Sequence, residues 1–224
     1  MHRDVTNRFR DLTLESFVQR LSSADPVPGG GSAAAVAASL GAGLLTMVTS
    51  LSLGREKFAV HADALTAAQS VGRRLSDEFL ALADDDAGAF ATFAAARRLP
   101  RATDAEREAR STAIASAART AAEVPAACVE ACFELAMAVE SIAGRSNPNA
   151  SSDLSVAALF AEAAAKAAAA NVIVNLPAVA DQDWALQVTN RVVELLAAIE
   201  NLVATTRETV AGGAVRDPLP TAQV

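Results

Sequence analysis

Tyrosine is absent from this chain, tryptophan occurs once, and aromatic residues occupy only 4% of its 224 positions. A core so poor in large rings has to be filled by small side chains, with backbones packed close together. Basic runs are missing too. With a formal net charge of −7 and no Lys/Arg cluster to neutralise phosphates, nucleic acid is excluded as a partner. Cysteine is scarce: Cys128 and Cys132 stand four apart in a helical pattern, and the only histidines are His2 and His61. Nothing joins the two thiols to complete a ligand set, so they read as small buried residues and no metal site is expected. Two cysteines and a polar start from Met1 to Arg10, without a signal peptide, place the protein in a reducing cytoplasm.

What the chain does have is alanine, within a 52% hydrophobic composition. Alanine loses no side-chain entropy in a helix and is the best helix former. The expectation is an all-α protein of about six long helices in a bundle. It forms one domain over residues 1–224, with an ordered core at about 12–210.

Periodicity and punctuation place the helices. Leu14, Phe17, Val18 and Leu21 share a face behind Thr13, predicting a helix from Leu14 to Ala24. A second is expected from Ser32 to Ser52, and a third from His61 to Arg98, stopping ahead of Pro100. Thr103-Asp104-Ala105-Glu106 reads as a capping box opening a helix to Ile142, which Pro125 should bend or interrupt. After a polar loop at Gly144 to Ala150, a fifth helix runs from Ser152 to Leu176, with Glu162 four before Lys166 as a surface pair. The sixth carries Trp184, Val188, Val192, Leu195 and Ile199 on one stripe, and the tail after Gly212 should fray. No strand pattern competes.

From Pro26 to Gly54 the chain carries no charge at all. Its prolines, glycines, serines and threonines argue against a membrane span and for a helix buried in a bundle. No other segment stands out as a second span. The stretch opens with Pro26-Val27-Pro28-Gly29-Gly30-Gly31-Ser32, where the glycines let a ligand approach the backbone and Ser32 is placed to cap the helix. A helix start behind such a turn suits an anionic or strongly polar ligand.

Two groups of polar residues interrupt apolar helix faces. Asp84, Asp85 and Asp86 point in directions about 100° apart, and Asp86 shares a face with Phe90. An inward aspartate is costly unless paired, and is often functional. Asn171 and Asn175 lie one turn apart, where their amides either cross-link helices or read a ligand's donors and acceptors. Asp153 reads as part of a helix cap, and Lys57 as a solvated cation.

Taken in order, these blocks resemble the cyclodeaminase/cyclohydrolase family of folate enzymes. They are Phe17 and Leu21; Pro28 to Ser32; Leu51-Ser52-Leu53-Gly54-Arg55-Glu56-Lys57-Phe58; Asp86-Ala87-Gly88-Ala89-Phe90; Arg98-Leu99-Pro100; Val124-Pro125; Asn147-Pro148-Asn149-Ala150-Ser151-Ser152-Asp153; and Asn171-Val172-Ile173-Val174-Asn175-Leu176.

The resemblance implies an all-α homodimer acting on one-carbon units carried by a tetrahydrofolate substrate, with no tightly bound cofactor. It marks Asp86 as the catalytic aspartate and Gly29, Gly30 and Gly31, followed by Ser32, as part of the folate pocket. Lys57 or the N–H groups behind the glycines are candidates for the glutamate tail, and Asp153, Asn171 and Asn175 for the pterin; Asn149 is a further substrate-binding candidate. Departures from the family pattern are Phe58 for tyrosine, Ser146 for glycine, and Ala167 and Ala169 within a usual Gly-Ala-Tyr segment. The implied reaction is conversion of 5,10-methenyltetrahydrofolate and water to 10-formyltetrahydrofolate. Cyclodeamination of 5-formiminotetrahydrofolate is the alternative, and a non-catalytic folate-binding dimer the reading from another class. The lack of an attached formiminotransferase domain tilts the expectation to the cyclohydrolase.

Overall fold

A computed structural model of the chain describes residues 8–219. The start of the polar stretch, Met1–Asn7, and the tail beyond Leu219 lie outside the described residues. Six helices follow a 3₁₀ turn at Phe9–Asp11: α1 Leu14–Leu21, α2 Gly30–Ser50, α3 Ala62–Arg97, α4 Asp104–Ile142, α5 Ser151–Asn175 and α6 Gln182–Ala211. No strand is present among the described residues. The cap of α1 is Thr13, and its end comes at Leu21 rather than Ala24. The capping box of α4 is present, and backbone N–H groups of Thr103 and Ala102 hold the Glu106 carboxyl below its usual range.

Helix α2 packs on α3 and α5, and α4 packs on the same two, closing a four-helix ring; α6 lies against α4 and α5. Short connections make successive helices antiparallel. The start of α2 therefore shares one end of the bundle with the ends of α3 and α5. Small residues let the backbones close in. A Cβ at Gly72 would lie 2.6 Å from Thr46 Oγ1 and 3.0 Å from the Ala42 carbonyl, and one at Gly41 would lie 3.1 Å from Phe160 Cβ. Around these contacts Leu45, Leu65, Leu75, Phe79, Leu135 and Leu154 are fully buried, each worth about 1.5–3 kcal/mol relative to exposure.

Pro125 sits inside α4 without interrupting it, so the interruption, one of the two expected effects, does not occur. The ring removes the N–H that would reach back to Ala121, and another helix supplies the donor instead: Asn175 Nδ2 donates to the Ala121 carbonyl at 2.8 Å. The same amide donates to the Asn171 carbonyl at 2.8 Å. Asn175→Ala should therefore cost about 1–3 kcal/mol, the usual penalty for an orphaned buried acceptor. In a Pro125→Ala background, where the helix regains its own donor, the loss should be smaller. Urea unfolding of the four proteins in this cycle tests the coupling; additive effects would show that the two residues act independently.

The end of the chain is not frayed throughout. The Arg216 N–H donates to the Gly144 carbonyl at 3.0 Å, and Arg145 Nε donates to the Asp217 carbonyl at 2.5 Å. Gly144, at φ +72°, makes the turn that receives this segment. Two stretches, Gly30–Ser50 and Pro148–Ala178, are long and apolar enough to cross a membrane by length and composition, so the first is not unique in this respect. Both pack into the bundle, with 50% and 44% of their most apolar windows buried.

Candidate functional site

At the end of the bundle where α2 begins, a cleft of about 460 Å³ opens between α2, α3, α4 and α5. The glycine turn forms one wall. Gly29, in extended backbone, takes the N-cap position, so the helix starts at Gly30 and not at Ser32. Ser32 is thereby carried into the first turn, where it is fully buried and caps nothing. Its Oγ instead donates to Asp86 Oδ2 at 2.7 Å, across 54 residues of sequence. The first turn of α2 contains no acidic residue of its own. The Asp86 carboxylate fills that role from α3, because an anion is favoured beside a helix start.

Gly31 makes this contact possible. A Cβ there would lie 2.7 Å from Asp86 Cγ, whereas one at Gly30 would meet nothing nearer than Asn171 Nδ2 at 4.0 Å. None of the three glycines has positive φ. Of the three, Gly31 is the one explained by close approach to a carboxylate.

The acidic run separates into three fates. Asp84 Oδ1 accepts the Phe9 N–H at 2.6 Å and so pins the N-terminal 3₁₀ turn onto α3. Asp85 is exposed, and half-buried Asp86 lines the cleft. Phe90, Phe93 and Arg97 follow Asp86 along the same face of α3 and line the cleft with it, the Arg97 guanidinium lying 6.0 Å from the Phe93 ring centroid. Sequence reasoning reached Phe90 but missed Phe93 and Arg97. Their spacing of seven and eleven residues from Asp86 was the available signal. On the opposite wall Asn171 Nδ2 donates to the Ala167 carbonyl at 2.9 Å, and Asn175 makes the contacts described above. Both asparagines line the cleft, and Asn175 also ties α5 to α4, which is the cross-linking reading of this pair.

The formiminotransferase-cyclodeaminase family profile matches residues 13–194. The chain belongs to that family. It is 37% identical over 177 residues to a methenyltetrahydrofolate cyclohydrolase of Methylorubrum extorquens, covering 77% of this chain and 83% of that one. It is 35% identical over 193 residues to the formimidoyltransferase-cyclodeaminase of Rattus norvegicus, covering 83% of this chain but only 34% of the rat enzyme's length. The crystal structure of a formiminotetrahydrofolate cyclodeaminase from Thermotoga maritima superposes with a TM-score of 0.82 at 22% identity, covering 91% of this chain and 98% of that one. At that identity the likeness is one of fold.

The residues that carried the family resemblance do not all meet in one place. Gly29, Gly30, Gly31, Asp86, Asn171 and Asn175 line the cleft, with Ser32 behind Asp86. Lys57, Asn149 and Asp153 stand at the other end of α2, roughly 30 Å away at 1.5 Å rise per residue. Lys57 lies on the 3₁₀ turn Glu56–His61, exposed Asn149 on a second such turn at Pro148–Ala150, and half-buried Asp153 in the first turn of α5. Within one protomer they cannot touch a group that also touches Asp86. Of the family departures, Phe58 and Ser146 belong to that far end, where both line a second cleft, and Ala167 lends its carbonyl to Asn171.

Proposed function

We propose that the protein is a methenyltetrahydrofolate cyclohydrolase and that Asp86 is its catalytic residue. The observation that carries this reading is the Ser32–Asp86 pair at the glycine turn: a carboxylate held by a buried hydroxyl, in a cleft of ligand size with ring-bearing walls. Asp86 accepts a proton from water as the water oxygen bonds to the bridging carbon, giving a tetrahedral centre between N5 and N10. Collapse then breaks the bond from carbon to N5 and forms the carbonyl on N10. One proton goes to N5 and one to solvent. Phe90 and Phe93 offer faces for the pterin, and the side-chain oxygens of Asn171 and Asn175 accept from its N–H groups. Arg97, in place of distant Lys57, holds the anionic end. Support comes from the Methylorubrum relative, which aligns over most of both chains.

Cyclodeamination is the second reading, favoured by the relatedness to the animal bifunctional enzymes. There the same carboxylate would pass a proton to departing ammonia. Loss of the near-ultraviolet absorbance of methenyltetrahydrofolate on incubation with the protein tests the first reading, and ammonia release from 5-formiminotetrahydrofolate tests the second. Neither signal at micromolar enzyme would leave a folate-binding or scaffolding dimer.

We also infer a homodimer, acting in a reducing cytoplasm in which the buried thiols of Cys128 and Cys132 stay free. Support for the dimer is the outer face of α2 and α5. Leu40 is 54% exposed, Met47 and Leu51 also face outward, and Val156 and Leu159 do so on α5. Two helices about 30 Å long and about 10 Å wide offer roughly 600 Å² per protomer, close to the ~800 Å² of a standard interface. Sedimentation at micromolar concentration should give twice the chain mass, and Leu40→Glu should return it to one. A monomer in both cases would remove the dimer from the proposal.

A further inference from the structure

We propose that the second cleft, at the opposite end of the bundle from Asp86, is a binding site for a small carboxylate. The 3₁₀ turn after α2 brings Lys57 and His61 to it, the loop between α4 and α5 brings Arg145, and α5 begins there at Ser151. The end of α6 and the segment after it close the remaining side.

Two of these side chains are almost withdrawn from water: Arg145 is 7% exposed and His61 8%. Arg145 is held by neutral acceptors, its Nε on the Asp217 carbonyl and its Nη1 on the Ser141 carbonyl at 2.9 Å. The nearby carboxylate of Glu140 is taken by Arg216, at 2.6 Å. Burial and the charge of Arg216 loosen the hold of Arg145 on its proton, and outweigh the opposing pull of Glu140 and Asp217. His61 Nδ1 is buried without a hydrogen-bond partner, and burial followed by the charge of Arg145 pushes the His61 pKa down. Lys57 makes no ion pair among the described residues, its ammonium lying 5.6 Å from the Phe58 ring centroid. The start of α5 also reaches the cleft at Ser151; its cap residue, Ala150, has no side-chain acceptor, and the one acidic group of its first turn is Asp153.

A buried guanidinium without a bonded counter-charge is unfavourable, and an anion that enters relieves it. The cleft holds about 150 Å³, room for roughly five waters at ~30 Å³ each. Its walls include Phe58, Leu154, Val210 and Val215. A lining that combines cations with apolar side chains fits a carboxylate on a short hydrocarbon stem better than inorganic phosphate, which has no apolar part to bury. The site does not rest on the folate reading, since Asp86 takes no part in it. A free small acid and the acid end of a longer molecule share this chemistry.

Calorimetric titration of the full chain at constant ionic strength, held with chloride, tests the proposal. Glutarate should bind saturably in the millimolar range or tighter, and phosphate more weakly. Lys57→Gln should weaken glutarate about tenfold, the worth of one charge-assisted hydrogen bond, and Lys57→Arg should restore most of it. Asp86→Asn should bind glutarate as the parent does, which separates this site from the catalytic cleft. 4-Aminobenzoylglutamate that competes with glutarate would identify the acid end of a longer molecule as a source, and failure to compete would favour a free acid. No saturable glutarate binding, equal affinity in Lys57→Gln, or phosphate binding as tightly as glutarate would overturn the proposal.

Discussion

Asp86→Asn should lower turnover of methenyltetrahydrofolate by about 10²–10⁴-fold, the usual contribution of a general acid–base group. The asparagine is nearly isosteric and still accepts from Ser32 Oγ, now 2.7 Å from Oδ2. Packing and folate binding should therefore survive while proton transfer is lost. The neighbouring aspartates are controls of different kinds. Asp85 is exposed, so Asp85→Asn should leave both turnover and stability near those of the parent. Asp84 carries the hydrogen bond from the Phe9 N–H, so Asp84→Ala should lower the melting temperature with turnover per folded molecule retained. Steady-state rates and thermal melts on the three variants separate these outcomes. Similar mild losses in all three would mean that Asp86 has no special part in the reaction.

Gly31→Ala should be nearly as damaging, although alanine is the better helix former. The added methyl would lie 2.7 Å from Asp86 Cγ, so the carboxylate must swing away from the first turn of α2 and give up its bond to Ser32. Misplacing a reacting group by about 1 Å can cost 10²-fold, and a fall of about that order in kcat is expected. Gly30→Ala is the matched control, because its methyl would have only Asn171 Nδ2 at 4.0 Å as a neighbour. Measured side by side, the two variants should differ by about one to two orders of magnitude in kcat while both remain helical by circular dichroism. Equal rates would reduce the glycine turn to a connector between α1 and α2.

Much of the secondary structure was legible because its causes are local. The apolar spacing behind Thr13, the Thr103–Glu106 box and the stop before Pro100 each act within a few residues, and the structure places helix ends close to them. The weakness of local reasoning shows at Ser32 and Pro125. Ser32 has the chemistry of an N-cap, yet Gly29 takes that position and leaves the hydroxyl for Asp86. Pro125 has the chemistry of a helix breaker, yet the carbonyl it strands is satisfied from α5 by Asn175. In both cases a partner more than fifty residues away supplied what the local sequence lacked.

Composition and pattern by themselves determined that this chain is helical, that its helices must pack closely through alanine and glycine, and that three adjacent carboxylates leave one helix in different directions. Those properties follow from propensity, side-chain volume and the 100° turn between successive residues, none of which needs a partner. Which groups share a site was decided by the tertiary structure alone. Antiparallel packing carries Gly31, Asp86 and Asn171 to one end of the bundle and Lys57, Arg145 and Ser151 to the other. A helix that rises 1.5 Å per residue keeps the two ends of α2 about 30 Å apart, however near their motifs lie in the sequence.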